Sequence, residues 1–237
     1  MCMVGEIVVV GGVRRSALIS LSNLTDKRMR DAKTGAWYND FAWRGLANNS
    51  VAYTEKPDME TYMDEWLSLV KSKSGERGIF NRVAAQTQAG KQGRDSTLNY
   101  GTNPCSEIIL RDKQFCNLSE VVVRSTDTEA TLTKKIVLAT ILGTIQSTLT
   151  DFKFLSQEWK QNTSEERLLG VSLTGIMDAK ITSKPDPKML ERLRNVARKT
   201  NEKYAKILDV PVSASITCVK PSGTVSQLVD SASGIHA

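Results

Sequence analysis

The sequence predicts an α/β fold. Short β-branched runs alternate with longer segments whose apolar residues recur every three to four positions, which excludes an all-helical bundle. The chain has 237 residues, 40% hydrophobic and 24% charged, an ordinary soluble composition with enough length for one sizeable core or two small ones.

Taken in order, the candidate strands are Glu6 to Val10, Leu18 to Leu21, Asn49 to Tyr53, Gly78 to Phe80, Glu107 to Leu110, Leu118 to Val123, Gly170 to Thr174 and Ala214 to Val219. The helices carry stronger signals. Between Met59 and Lys71, residues Met59, Tyr62, Met63, Trp66, Leu67 and Val70 form one apolar face, with Pro57-Asp58 as the start signal. Thr131 to Thr150 repeats the pattern with Leu132, Ile136, Leu138, Ile141, Leu142, Ile145 and Leu149. A third helix is expected after Pro187, burying Leu190, Leu193, Val196 and Ala197 and exposing Lys and Arg. The polar stretch from Gln86 to Asn99 reads as a loop leading into the segment around Cys105, and long loops in compact folds tend to be functional.

Bulk properties narrow the function less. The net charge is +6 and the pI about 9.1, which favours anionic partners such as nucleotides. Lys and Arg are nonetheless scattered through the predicted helices, so most of this charge is read as solvated surface and no direct nucleic-acid binding is expected. The apolar start at Met1 lacks a basic leader and a cleavage pattern, and no stretch has transmembrane length. A cytoplasmic protein without membrane association is expected. Four cysteines suit a reducing compartment, and a single His (His236) without any C-x-x-C pair argues against a metal site. Cys2 and Cys218 read as inert core thiols. Both ends look abrupt, since Met1 opens inside an apolar element and Ala237 follows no finishing helix; a fragment is expected.

Chemistry concentrates at Asn103, Cys105 and Glu107. In an extended chain alternate residues point to one side, so an amide, a thiol and a carboxylate would converge on one small substrate, with Pro104 stiffening the approach. The sulfur could do radical or nucleophilic work, the carboxylate proton transfer, and the amide orientation. The competing reading is a buried structural Cys beside a turn. A second candidate is Pro221-Ser222-Gly223-Thr224-Val225-Ser226. Here Gly223 frees the backbone to approach a ligand, and Ser222, Thr224, Ser226 and successive amides can donate to phosphate oxygens, especially if a helix begins near Val225. A plain capped turn is the alternative. Arg14 and Arg15 suit phosphates and bases, or a solvated turn.

Asn103-Pro104-Cys105-Ser106-Glu107-Ile108, followed by Phe115-Cys116-Asn117-Leu118-Ser119-Glu120, resembles the large subunit of ribonucleotide reductases, particularly the adenosylcobalamin-dependent class. Gly11-Gly12-Val13-Arg14-Arg15-Ser16-Ala17 resembles that family's specificity loop, and Lys220 to Ser226 its substrate-phosphate loop, in the family's order. The resemblance implies a ten-stranded α/β barrel with a central finger loop, of which residues 1–237 would supply the middle and later part. It places the specificity loop near 11–17 (Gly12, Arg14, Arg15), the finger loop near 101–110 and the phosphate loop near 220–226.

It further implies the cofactor adenosylcobalamin, a ribonucleotide substrate, a deoxynucleotide effector, an external thioredoxin-like dithiol and companion polypeptides completing the barrel. Cys105 would carry a thiyl radical and abstract the ribose 3′ hydrogen, Glu107 would take the 3′ hydroxyl proton, and Asn103 would hold the ribose hydroxyls. Cys116 would reduce the substrate with a partner cysteine that the family carries upstream of this chain's first residue. The isolated chain is therefore expected to have little or no reductase activity. Alternatives within radical barrels are a diiron-dependent reductase or a glycyl radical enzyme; the eleven-residue step from Cys105 to Cys116 and the Phe-Cys-Asn-Leu wording favour the cobalamin class. Outside that class stands a non-catalytic nucleotide-binding or assembly fragment in which Cys105 is structural.

Overall fold

A computed structural model describes residues 1–10, 16–234 and 236, with the side chains of Val9 and Val10 excepted. The specificity-loop residues Gly12, Arg14 and Arg15 therefore lie outside the described residues. The chain forms two compact units, residues 1–91 with 95–109 and residues 92–94 with 110–237. Both are α/β.

The first unit is built on three parallel strands, β1 (Leu18–Ser22), β2 (Ala47–Tyr53) and β3 (Gly78–Asn81), in that spatial order. Leu18 lies opposite Ala47 and Ser50 opposite Gly78. Its helices are α1 (Cys2–Val10), α2 (Lys27–Arg30), α3 (Trp37–Asp40), α4 (Met59–Ser72) and α5 (Arg82–Lys91), and it ends with β4 (Gly101–Thr102) and the start of β5 (Ile109–Leu110). Parallel strands need crossovers, and α4 supplies the one from β2 to β3. Asp58 caps it, its carboxylate accepting from the Thr61 amide at 2.9 Å.

Few apolar side chains are buried in this unit, chiefly Ala47, Val51, Ala52 and Tyr53 of β2, and charged groups add to them. Arg77 is 4% exposed and forks onto Glu65 of α4 at 3.0 and 2.7 Å. The same guanidinium donates to Ser22 Oγ at 2.8 Å and to the Asn23 and Leu24 carbonyls at 2.9 and 3.2 Å. Lys33, also buried, donates to Glu76 at 2.9 Å and to the Ala47 carbonyl. A small apolar cluster of Ala85, Ala89 and Tyr100 lies under Phe80, Leu98 and Ile109.

The second unit pairs β6 (Asn117–Val122) with β7 (Leu169–Thr174), again in parallel, Asn117 opposite Leu169. Around them stand α6 (Glu129–Gln146), α7 (Gln157–Glu166), α8 (Lys180–Ser183), α9 (Pro187–Ile207) and α10 (Thr224–Leu228). Here the core is apolar: Val121, Val123, Leu132, Ile136, Leu169, Val171, Leu193 and Ala197 pack together between the strands, α6 and α9. One buried amide joins the two helices, Asn201 of α9 donating to Thr144 of α6 at 3.0 Å and accepting from the Ser213 amide at 3.0 Å. Each end of α6 is locally specified, with a capping box of Thr128 and Thr131 at the start and Ser147 at the finish.

Several sequence expectations are corrected. Glu6 to Val10 is not a strand but the end of α1, because an unbroken apolar run carries no period and a helix satisfies its backbone without a sheet neighbour. Ala214 to Val219 makes a single bridge, Val171 to Thr217, and runs beside β7 through hydrogen bonds such as Val171 N to Ile216 O at 2.8 Å. Residues 86–91, expected as loop, finish α5, whose Ala85 and Ala89 share one buried face. In α9 Leu193 and Ala197 are buried as expected, whereas Leu190 is 38% exposed. The apolar face of α4 is also open: Met59, Met63, Trp66, Leu67 and Val70 are all exposed, because the helix turns Glu65 inward to meet Arg77. In α6, Leu132 and Ile136 are buried while Leu138, Leu142 and Ile145 are exposed, as is Leu149 just beyond it.

Candidate active site

In the first unit the chemistry-bearing residues occupy the tip of a hairpin whose arms are β4 and β5. The Asn103 amide donates to the Ile108 carbonyl at 3.3 Å, and the Asn103 side-chain oxygen accepts from the Ile108 amide at 3.0 Å. Thr102 Oγ1 adds a bond to the Ile108 carbonyl at 3.0 Å. Beyond this neck the chain turns, with the Ser106 amide donating to the Asn103 carbonyl at 2.9 Å and Ser106 at φ 63°. The extended-chain picture in which positions 103, 105 and 107 share one side is thus replaced by a turn. Pro104 accounts for it, since its fixed φ suits the second position of such a turn.

The turn presents Cys105 outward. Its thiol is exposed, which excludes the reading of Cys105 as a buried structural residue. Glu107 is half-buried. Asn103, whose oxygen closes the hairpin neck, works first as a structural clamp. Asn48, at the start of β2, completes the support: it donates from Nδ2 to the Pro104 carbonyl at 2.6 Å, immediately before the thiol. Only that 56-residue separation in the chain hid it.

The second unit carries Cys116 and the glycine-containing loop. Cys116, half-buried, immediately precedes β6. Its neighbours are pinned, the Phe115 amide to Thr163 Oγ1 at 3.2 Å and the Asn117 amide to the Leu168 carbonyl at 2.8 Å. In the loop, Ser222 Oγ accepts from the Ser226 amide at 3.1 Å and the Ser226 hydroxyl donates to the Ser222 carbonyl at 2.5 Å, both residues being fully buried. Those two hydroxyls therefore hold the turn rather than face outward, correcting their assignment as outward phosphate donors. Gly223, Thr224 and Val225 remain exposed, and space is open where a Gly223 side chain would stand. A helix does begin there, at Thr224. Pro221 is half-buried.

Gly234, which the sequence reading passed over, backs this loop. A Cβ there would come within 2.5 Å of the Lys220 carbonyl oxygen, and its φ of +52° favours glycine as well.

Comparison with known proteins covers the whole chain rather than the hairpin alone. The adenosylcobalamin-dependent ribonucleoside-triphosphate reductase of Lacticaseibacillus paracasei is 28% identical, over 99% of this chain and 34% of its own length. The enzymes of the same name from Lactobacillus acidophilus and Lactobacillus leichmannii are 29% and 27% identical, each over 99% of this chain and 35% of its own length. The likeness runs over nearly the whole of this chain.

It spans about a third of the length of these reductases. No family model matches. The fold agrees with a solved B-12-dependent (class II) ribonucleotide reductase at a TM-score of 0.66 and 24% identity, over 99% of this chain and 35% of that one. A class Id reductase alpha subunit from Actinobacillus ureae superposes at 0.64 with 14% identity, over 96% of this chain and 50% of that one. The likeness to these structures is one of α/β fold, and in this chain that fold is built on small sheets. No helix among the described residues is long and apolar enough to cross a membrane.

Proposed function

We propose that this chain is a segment of the catalytic subunit of an adenosylcobalamin-dependent ribonucleotide reductase, acting in deoxyribonucleotide synthesis together with the polypeptide that supplies the rest of a ten-stranded barrel. The observation that carries the reading is Cys105, exposed at the tip of a hairpin and braced on both sides by Asn103 and Asn48, within a chain similar to these reductases over 99% of its length. A thiol that must exchange a hydrogen atom with two different groups has to stand outward and stay fixed. The hairpin meets both needs.

The names of the relatives point to a ribonucleoside triphosphate as substrate. In this reading adenosylcobalamin, when bound, supplies the one-electron chemistry that turns the Cys105 thiol into a thiyl, and the outward sulfur fits a group approaching from beyond the loop. Cys105 takes the 3′ hydrogen of the ribose and returns it to the same carbon once the substrate has been reduced. Glu107 receives the 3′ hydroxyl proton and Asn103 orients the ribose hydroxyls, while the 2′ hydroxyl leaves as water. Cys116 and a second cysteine, supplied by the companion polypeptide, give up two electrons and two protons and become a disulfide, which an external thioredoxin-like dithiol then reduces. The exposed backbone from Gly223 to Val225 holds the substrate phosphates with its amides and with Thr224. The deoxynucleotide effector would act through Gly12, Arg14 and Arg15.

The test is reconstitution. The purified chain alone is expected to give no adenosylcobalamin-dependent product from a ribonucleoside triphosphate, and addition of the remaining reductase polypeptide is expected to give turnover. Turnover by the chain alone would contradict the need for a companion.

A further inference from the structure

The helix α7 carries no part of the chemistry above, yet one of its faces is wholly committed to the loop that ends in Cys116. Trp159, Asn162, Thr163 and Glu166 recur at the spacing that puts residues on one side of a helix. Each meets the segment from Arg111 to Phe115. The Trp159 ring lies 4.7 Å from the Phe115 ring, centroid to centroid. The Asn162 carbonyl accepts from Arg111 at 3.0 Å and from Gln114 at 3.2 Å, and its side chain donates to the Asp112 carbonyl at 2.8 Å. Thr163 Oγ1 accepts the Phe115 amide at 3.2 Å.

Glu166 gathers the rest. Its carboxylate takes two bonds from Arg94, at 2.8 and 3.2 Å, and one from the Gln114 side-chain amide. The Gln114 oxygen in turn accepts from Arg94 at 3.3 Å and from the Arg111 amide at 3.1 Å. Arg94, Gln114 and Thr163 are all less than a tenth exposed. The helix itself is anchored, because Arg167, its left-handed cap, donates to the Ser147 carbonyl at 2.6 Å. So many buried polar contacts on one short loop exceed what a surface connection needs, and a linked network of this kind favours a single geometry.

We infer that α7 is a positioning element for Cys116, fixing where its thiol is presented through the Thr163 and Glu166 contacts on the preceding loop. The inference rests on the reading of Cys116 as the substrate-reducing thiol, since that role is what requires a fixed sulfur. A thiol that passes electrons first to a substrate and then to an external dithiol gains from a mount that neither event disturbs.

Alkylation of the three cysteines Cys105, Cys116 and Cys218 by iodoacetamide, followed by peptide mass spectrometry on one sample, tests this with internal references. Thr163→Val removes the acceptor for the Phe115 amide with little change of shape. It is expected to speed Cys116 alkylation roughly three- to tenfold, the factor that loss of one hydrogen bond gives a local opening, while Cys105 and Cys218 stay at their original rates. Thr163→Ser, which keeps the hydroxyl, is expected to restore the original rate, and Glu166→Gln to act in the same direction as Thr163→Val. An unchanged Cys116 rate in both Thr163→Val and Glu166→Gln would overturn the inference, as would equal acceleration of all three thiols, which would make α7 a general stabiliser only.

These outcomes are separate from the catalytic reading. Cys116→Ser in the reconstituted complex would leave turnover intact if Cys116 has no reducing role, whatever α7 does to its reactivity.

Discussion

The two units of the chain share a parallel α/β plan and differ in what fills them. The second buries Val121, Leu132, Ile136, Leu169 and Leu193 in one apolar core. The first buries Ala47, Val51, Ala52 and Tyr53 of β2 and a small cluster around Tyr100, and adds the ionic knots of Arg77 with Glu65 and Lys33 with Glu76. The lesson is that one backbone pattern tolerates two energetic solutions with different failure modes. An apolar core loses stability in proportion to the volume removed, whereas a buried ion pair fails sharply when one partner is taken away.

The sharpest way to break the comparison is Arg77→Ala, which leaves buried Glu65 only the Arg30 guanidinium at 3.9 Å and is expected to cost the first unit about 3–5 kcal/mol in urea unfolding followed by tryptophan fluorescence. Joint replacement of Arg77 by Met and Glu65 by Leu is expected to cost far less, because no charge is left unpaired. Equal damage from both would show that packing and not charge holds this unit. In the second unit, Leu169→Ala at a fully buried site is expected to cost about 3 kcal/mol, measured the same way, and to leave the first unit's transition in place.

A smaller effect should separate the units by pH. Burial pushes the Asp127 carboxyl up, but hydrogen bonds from Lys135, the Arg124 amide and Thr131 outweigh it and hold its pKa below the ordinary carboxylate value. With the folded pKa below the unfolded one, this contribution is complete above roughly pH 4 and is lost as the pH falls through the folded value. Asp127→Asn should therefore weaken the second unit by about 1–2 kcal/mol at neutral pH and flatten its acid limb. A limb of unchanged steepness would assign it to other carboxylates. Asn48→Ala should cost about 1 kcal/mol, visible as faster hydrogen exchange at the Ser106 and Ile108 amides. Met63→Lys, on the exposed face of α4, should change stability by less than about 0.5 kcal/mol in this chain.

Much of this was legible in the sequence, and the limits follow from physics. The parallel strands announced themselves as short β-branched runs, and α4, α6 and α9 as apolar residues at helical spacing, although α4 and much of α6 leave that set exposed in this chain. The helix α7 escaped because Gln157–Glu166 has a single large apolar residue, Trp159, and spends its inner face on polar loop contacts that leave no hydrophobic period. The helix α1 was misread because Ile7-Val8-Val9-Val10 has strand propensity, whereas a helix satisfies its backbone without a sheet neighbour.

At the site, the sequence picked out the thiol but not its mounting. A turn between Asn103 and Ser106, a brace from Asn48 and a glycine at 234 behind the loop of residues 220–226 depend on contacts made across the fold, which no local pattern encodes. The inward hydroxyls of Ser222 and Ser226 make the same point, since residue type fixes what a side chain can donate and only the fold fixes where.

The central claim is that Cys105 is the hydrogen-abstracting thiol of a reductase segment. Its most direct test is Cys105→Ser in the complex reconstituted with the remaining reductase polypeptide, assayed for adenosylcobalamin-dependent formation of deoxyribonucleotide with substrate binding measured in parallel. The account predicts that turnover falls to background while substrate binding is retained. Turnover unchanged from that of the original chain would contradict it.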